Sequence, residues 1–140
     1  MPFVNASSNA AASAATALIP TQLIRGRVRI ACAEFTCASD ATGTYTVPIR
    51  LPIGARVLTM FLNASATMGA SATIAIGISG TTGKYRAAAT YTTADTLTFS
   101  SLNAATMAVL TAEEQIIMTV AAAALPSSGR LLVGFLYVFD

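Results

Sequence analysis

Glu113 and Glu114 stand side by side, and paired carboxylates can serve as acid and base. A glycosidase pair must face one bond from two sides, with its carboxyls about 5–9 Å apart. Neighbours in an extended segment point to opposite sides instead. The pair therefore reads as solvated turn residues ahead of a strand. The other acids, Glu34, Asp40, Asp95 and Asp140, are scattered. The chain has no histidine, which removes Ser-His-Asp and Cys-His arrangements and His-based metal sites. Cys32 and Cys37 fall short of the roughly four ligands of a structural zinc site. They read as small buried residues of a reduced intracellular protein, with a disulfide left open. No P-loop or dinucleotide glycine pattern occurs. The expectation is a protein that is not an enzyme, with no catalytic residue, cofactor or metal.

Arg25, Arg27 and Arg29 are a different kind of feature. On a strand, spacing two puts them on one face with Ala31 and Ala33, a stripe up to about 13 Å long. Ile24, Gly26, Val28, Ile30 and Cys32 take the other face. The stripe has two readings, a solvated outer face and a contact for an acidic partner surface. Nucleic-acid binding would want aromatic residues interleaved with the charges, and none is there. With a net charge of only +2, no direct nucleic-acid partner is expected.

The elements that must position these groups are strands. Leu23 to Phe35 alternates, and Thr44 to Leu51 is a strand with Pro48 inside it, so it belongs at an edge or carries a bulge. From Arg56 to Ala64, Leu58, Met60 and Leu62 point one way and Val57, Thr59, Phe61 and Asn63 the other. Thr73 to Ser79 sets Ile74, Ile76 and Ile78 against small residues, so one face is buried and something lies close on the second. Gly80 to Lys84 reads as a turn and Thr96 to Phe99 as a short alternating piece. Ser100 to Thr111 is open between strand and helical turn. Gln115 to Ala121 alternates again, and Arg130 to Phe139 is apolar on both faces, hence covered on both. Short strands, regular turns and no long helix predict an all-β antiparallel β-sandwich. A jelly-roll-like form is preferred, with closed barrels and Ig-like topologies open.

Residues 1–21 are set apart as an N-terminal arm or flexible tail, and 22–140 as the sandwich domain. The Ala/Ser/Asn-rich segment has apolar anchors only at Phe3, Val4, Leu18 and Ile19. These four, with Arg25, Arg27 and Arg29, are the candidate partner contacts. An extended arm of that length reaches roughly 65 Å, enough to cross onto a neighbouring subunit. Charged residues make up only 10% of the chain, against about 25% in ordinary domains, which suggests surface covered by other chains. Residues 57–83 carry no charge, but their period of two and scattered Thr, Ser and Gly reject a spanning helix. The start lacks the basic residues and Leu-rich core of a signal peptide, so a soluble product outside the usual secretory route is expected.

The run Leu51-Pro52-Ile53-Gly54-Ala55-Arg56-Val57, a strand, and then Ser71-Ala72-Thr73-Ile74-Ala75-Ile76-Gly77 resembles the small head proteins of tailed phages. Tyr85-Arg86-Ala87-Ala88-Ala89-Thr90, Thr111-Ala112-Glu113-Glu114-Gln115-Ile116-Ile117 and Leu132-Val133-Gly134-Phe135-Leu136-Tyr137-Val138 continue the likeness. It covers about residues 44–139; the Ala-rich start and the Arg stripe fall outside it. The resemblance is to capsid decoration, or cement, proteins. It implies a homotrimer on the outer capsid surface of the virion, made in the host cytoplasm. Its partner would be the major capsid protein, and its task to clamp neighbouring capsomers, with no membrane involved. Other structural virion roles, in tail, baseplate or a minor jelly-roll capsid subunit, are the alternative. A carbohydrate-binding sandwich stands further off, since the chain has no Trp and only Tyr45, Tyr85, Tyr91 and Tyr137 to offer.

Overall fold

The computed structural model describes residues 27–139, and every described regular element is a strand. In chain order these are β1 (Arg29–Thr36), β2 (Gly43–Leu51), β3 (Ala55–Ala64), β4 (Thr73–Ile78), β5 (Thr81–Thr90), β6 (Thr98–Ser100), β7 (Glu114–Ala121) and β8 (Arg130–Phe139). Sheet A runs β1-β8-β3-β6 and sheet B runs β2-β7-β4-β5. All pairings are antiparallel. First pairs with last, second with seventh, third with sixth and fourth with fifth, the nested order of a jelly roll. The proposed arm falls outside the described residues. No described helix is long and apolar enough to cross a membrane.

Alternation builds the core. Ile74 and Ile76 of β4, Ile116, Met118 and Val120 of β7, and Val47, Ile49 and Leu51 of β2 point inward from sheet B. Met60, Leu62 and Ala64 of β3 and Leu131, Val133 and Phe135 of β8 meet them from sheet A. Tyr85 of β5 closes the gap between sheets, edge-on to Phe135 with ring centroids 5.1 Å apart.

Pro48 lies where its type demands, on edge strand β2, inside a register shift between Thr46 and Arg50. Gln115 repairs the interrupted ladder. Its Nε2 donates to Val47 O at 2.6 Å and Ile49 O at 3.1 Å, while Arg50 Nε donates to Gln115 Oε1 at 3.0 Å.

The small face of β4 does receive a close neighbour. Ser79 and Gly80 form the β4–β5 turn, Gly80 at φ 86°, which glycine adopts without strain. The chain then folds back over Gly77, where a Cβ would stand 2.6 Å from the Thr82 carbonyl carbon and oxygen. On the outside of sheet A, Gly134 lies beneath the Phe61 ring, which itself meets Phe99 at 6.0 Å.

Two expectations need correction, and one open reading is resolved. In β3, Val57 is buried with Met60 and Leu62 rather than opposed to them. A register shift between Val57 and Thr59 inserts one residue and reverses the alternation at Leu58. The turn expected over 80–84 is only Ser79-Gly80; β5 begins at Thr81. The segment left open over 100–111 is not a strand; it forms turns, one of them helical in its bonding, with Met107 N donating to Asn103 O at 3.0 Å.

Candidate partner-contact surfaces

Of the seven candidate contacts, Phe3, Val4, Leu18, Ile19 and Arg25 lie outside the described residues. Arg27 and Arg29 are both exposed. The Arg stripe was expected on the outer face of its strand; the geometry differs. Ala31, Ala33 and Phe35 point inward and pack on the core, so Arg29 has core-side parity at the strand's end. There the sandwich has run out, and the Arg29 guanidinium sits 5.1 Å from the Phe139 ring centroid. The outward positions of β1 are Ile30, Cys32 and Glu34.

Cys32 is therefore exposed, contrary to the expectation of two buried thiols. Cys37, just past β1, is buried and donates weakly to Met68 Sδ at 3.7 Å. Burial, with Asp40 nearby, pushes its thiol above the usual range.

The outer face of sheet A is an apolar strip. Cys32, Gly134, Phe61 and Phe99 stand in register across β1, β8, β3 and β6, with Ile30 and Leu136 in the next row. Ile30 is 63% and Phe99 55% exposed. At one end the strip passes into a shallow polar dent lined by Glu34, Asn63, Ser65, Arg130 and Leu132, where Arg130 pairs with Glu34 at 3.7 Å. The outer face of sheet B carries Thr44, Thr46, Thr73, Ala75, Ile117 and Thr119, uncharged except around Arg50 and Glu113. Those two pair at 3.1 Å with both side chains exposed, so the bond contributes about 0–1 kcal/mol.

Glu113 and Glu114 do point apart, but only Glu113 is solvated. The Glu114 side chain is 12% exposed. It accepts from Lys84 Nζ through one oxygen and from the Tyr85 hydroxyl through the other. The missed signal was Lys84-Tyr85, thirty residues away, which the unrecognised strand β5 delivers to the start of β7. Burial and Glu114 push the Tyr85 phenol well above its ordinary range, so it stays a neutral donor rather than a base. The cluster fastens β5 to β7 and offers no reactive group. Arg86 has a comparable role. It donates to Ile74 O, to Ala89 O at 3.1 Å and to Thr90 O at 3.1 Å, and lies over the Tyr91 ring. Its fork supplies the donors that the β5 bulge takes away. Burial lowers its pKa from the usual value. Among the described residues, no three His, Cys, Asp or Glu converge to hold a metal ion.

No protein-family model matches this chain, and no curated protein matches it. Solved structures do. A chain of the cyanophage Pam1 capsid asymmetric unit is similar at TM-score 0.67 and 22% identity, with 100% of both chains covered. A chain of the capsid of Ralstonia phage GP4 is similar at 0.62 and 19%, covering 89% of this chain and 92% of that one. A chain of the acidic stable capsid structure of Helicobacter pylori bacteriophage KHP30 is similar at 0.62 and 20%, covering 82% and 90%. The protein shares its jelly-roll fold with chains of three phage capsid structures.

Proposed function

We propose that the protein is a structural component of a phage virion: a decoration protein on the outer capsid surface, bound to the major capsid protein and tying neighbouring capsomers together. The observation that carries this reading is the end-to-end match, 100% of both chains, to a chain of the Pam1 capsid asymmetric unit. The surface chemistry supports it. Sheet faces poor in charge, one of them carrying an apolar strip, suit a protein that is covered on more than one side. Several weak contacts made at once add by avidity, so no single deep pocket is required.

The test is to mix the purified chain with heads that lack it, then sediment the heads and image them. Bound protein on the outer surface, with heads that withstand more heat, is the expected result. Protein left in the supernatant, or density on the tail instead, refutes the decoration reading. Replacing Arg25, Arg27 and Arg29 with Ala is expected to weaken attachment, as is removal of residues 1–20. Unchanged occupancy in either case removes that segment from the contact.

A further inference from the structure

Seven large apolar side chains are exposed among the described residues. Four of them, Val28, Ile53, Val109 and Phe139, stand at one end of the sandwich, so this apolar surface is concentrated rather than scattered. At this end β2 turns into β3, β8 finishes and β1 begins. Ile53 is at the corner of the Pro52–Ala55 turn, which Ala55 N closes on Pro52 O at 3.2 Å. Gly54 N donates to Leu110 O at 2.9 Å and Leu110 N to Ala55 O at 2.8 Å, which brings Val109 beside Ile53. Ala55 is in register with Phe139, so Phe139 has core-side parity yet is exposed, with the Arg29 guanidinium over its ring.

The charges at this end are unbalanced. Its described carboxylates are taken: Glu113 pairs with Arg50 at 3.1 Å and Glu114 with Lys84. Arg27 and Arg29 are both exposed, and no described carboxylate pairs with either. Asp40 and Asp95 lie in turns at the opposite end. The outer strip of sheet A differs, because its nearby charges, Glu34 and Arg130, already pair with each other. We propose that the Ile53–Phe139 end is the surface that seats on the capsid, against an apolar socket of the shell protein edged with carboxylates. The proposal rests on the decoration reading and names its contact. Ile53, Val109 and Phe139 supply an apolar centre and Arg27 and Arg29 a charged rim, the usual anatomy of a protein interface. A guanidinium fork fits a carboxylate two N–H groups at a time, and Arg29, resting on the Phe139 ring, has less freedom to lose on pairing. Nucleic acid would also take the arginines, but its interfaces are polar and have little use for aliphatic Val28, Ile53 and Val109.

The test is sedimentation of the full chain with heads that lack it, using substitutions at exposed positions and melting curves as the check on folding. Ile53→Asp is expected to weaken binding roughly ten-fold or more, since it sets a carboxylate against the carboxylates of the partner. Arg27→Glu combined with Arg29→Glu is expected to do the same, and to reverse the loss of binding that the parent shows as salt is raised. Leu97→Asp, exposed at the opposite end, is expected to bind like the parent. Failure of the unsubstituted chain to bind heads overturns the decoration reading and this one with it. Parent-like binding by Ile53→Asp, or an equal loss with Leu97→Asp, overturns this one alone. Other occupants of the end would do so too. A second copy would give an oligomer of the free chain that Ile53→Asp dissociates. Cover by residues 1–26 would make Ile53→Asp lower the melting temperature and leave attachment unchanged. Nucleic acid would show as duplex DNA retained by the parent and released by the double Glu variant.

Discussion

Gly77→Ala tests a glycine packed directly against backbone. The added Cβ would lie 2.6 Å from the Thr82 carbonyl, whereas real Cβ contacts essentially never fall below 3.0 Å. The Thr81 carbonyl oxygen is nearer still, so the start of β5 must retreat by more than the 0.4 Å that separates 2.6 Å from 3.0 Å. What must move is backbone, held by the tight Ser79-Gly80 turn and by pairing to β4. Overpacking a well-filled site costs about 1–3 kcal/mol, and the rigid neighbour places this one near 3 kcal/mol. At roughly 4 °C per kcal/mol for a domain of this size, Tm falls by roughly 12 °C. Gly134→Ala is the internal comparison. Its Cβ would run into the tip of the Phe61 ring, nearest at Cζ, but that is a side chain on the outer face, able to swing toward solvent. The cost there is about 1 kcal/mol, chiefly the contact with Phe99. Thermal unfolding followed by circular dichroism measures both. A Gly77→Ala protein melting within about 3 °C of the parent, or a Gly134→Ala protein that loses more, refutes the distinction between a backbone wall and a side-chain lid.

Arg86→Lys is expected to cost about 2–4 kcal/mol in urea unfolding, because one ammonium cannot serve the carbonyls of Ile74, Ala89 and Thr90 together; full rescue by Lys would count against the fork. Tyr85 governs the alkaline limb. Its folded pKa is raised above the unfolded value near 10, so its contribution is complete below about pH 10 and is lost as pH rises toward the raised value. Tyr85→Phe should lower stability at pH 7 by about 1.5–3 kcal/mol, through loss of the bond to Glu114. It should also flatten the decline above about pH 10; parallel declines in the two proteins would be inconsistent with this assignment.

Strands with strict alternation were legible from residue order alone: Thr73 to Ser79, Gln115 to Ala121 and Arg130 to Phe139 match β4, β7 and β8 to within a residue or so. Pro48 announced an edge or a bulge, because a missing donor is tolerated in few other places, and β2 has both. What stayed hidden was whatever bulges disguise. Two register shifts and the Ala87-Ala88-Ala89 run strip β5 of its period, so Lys84, Tyr85 and Arg86 gave no sign of sitting on one long strand. With β5 unread, Glu114 had no visible partner and passed for a solvated turn residue. The Arg stripe was misread for another reason. Its alternation is real, but parity alone does not say which face is inside, and the large Ile30 turned outward while small Ala31 and Ala33 turned in.

On the ribosome, sheet A cannot assemble in the order in which it is made. Strand β8 lies between β1 and β3, so β1 gains its partner only after the last described strand emerges. At about 5–20 residues per second, the stretch from Thr36 to Arg130 takes roughly 5–20 s to synthesise. Through that interval the Ala31-Ala33-Phe35 face and the open flank of β1 are both bare. Among the described strands only the β4–β5 hairpin can close locally, and the wider pairs must wait for successively longer loops. Synthesis is therefore a stage at which aggregation competes with folding.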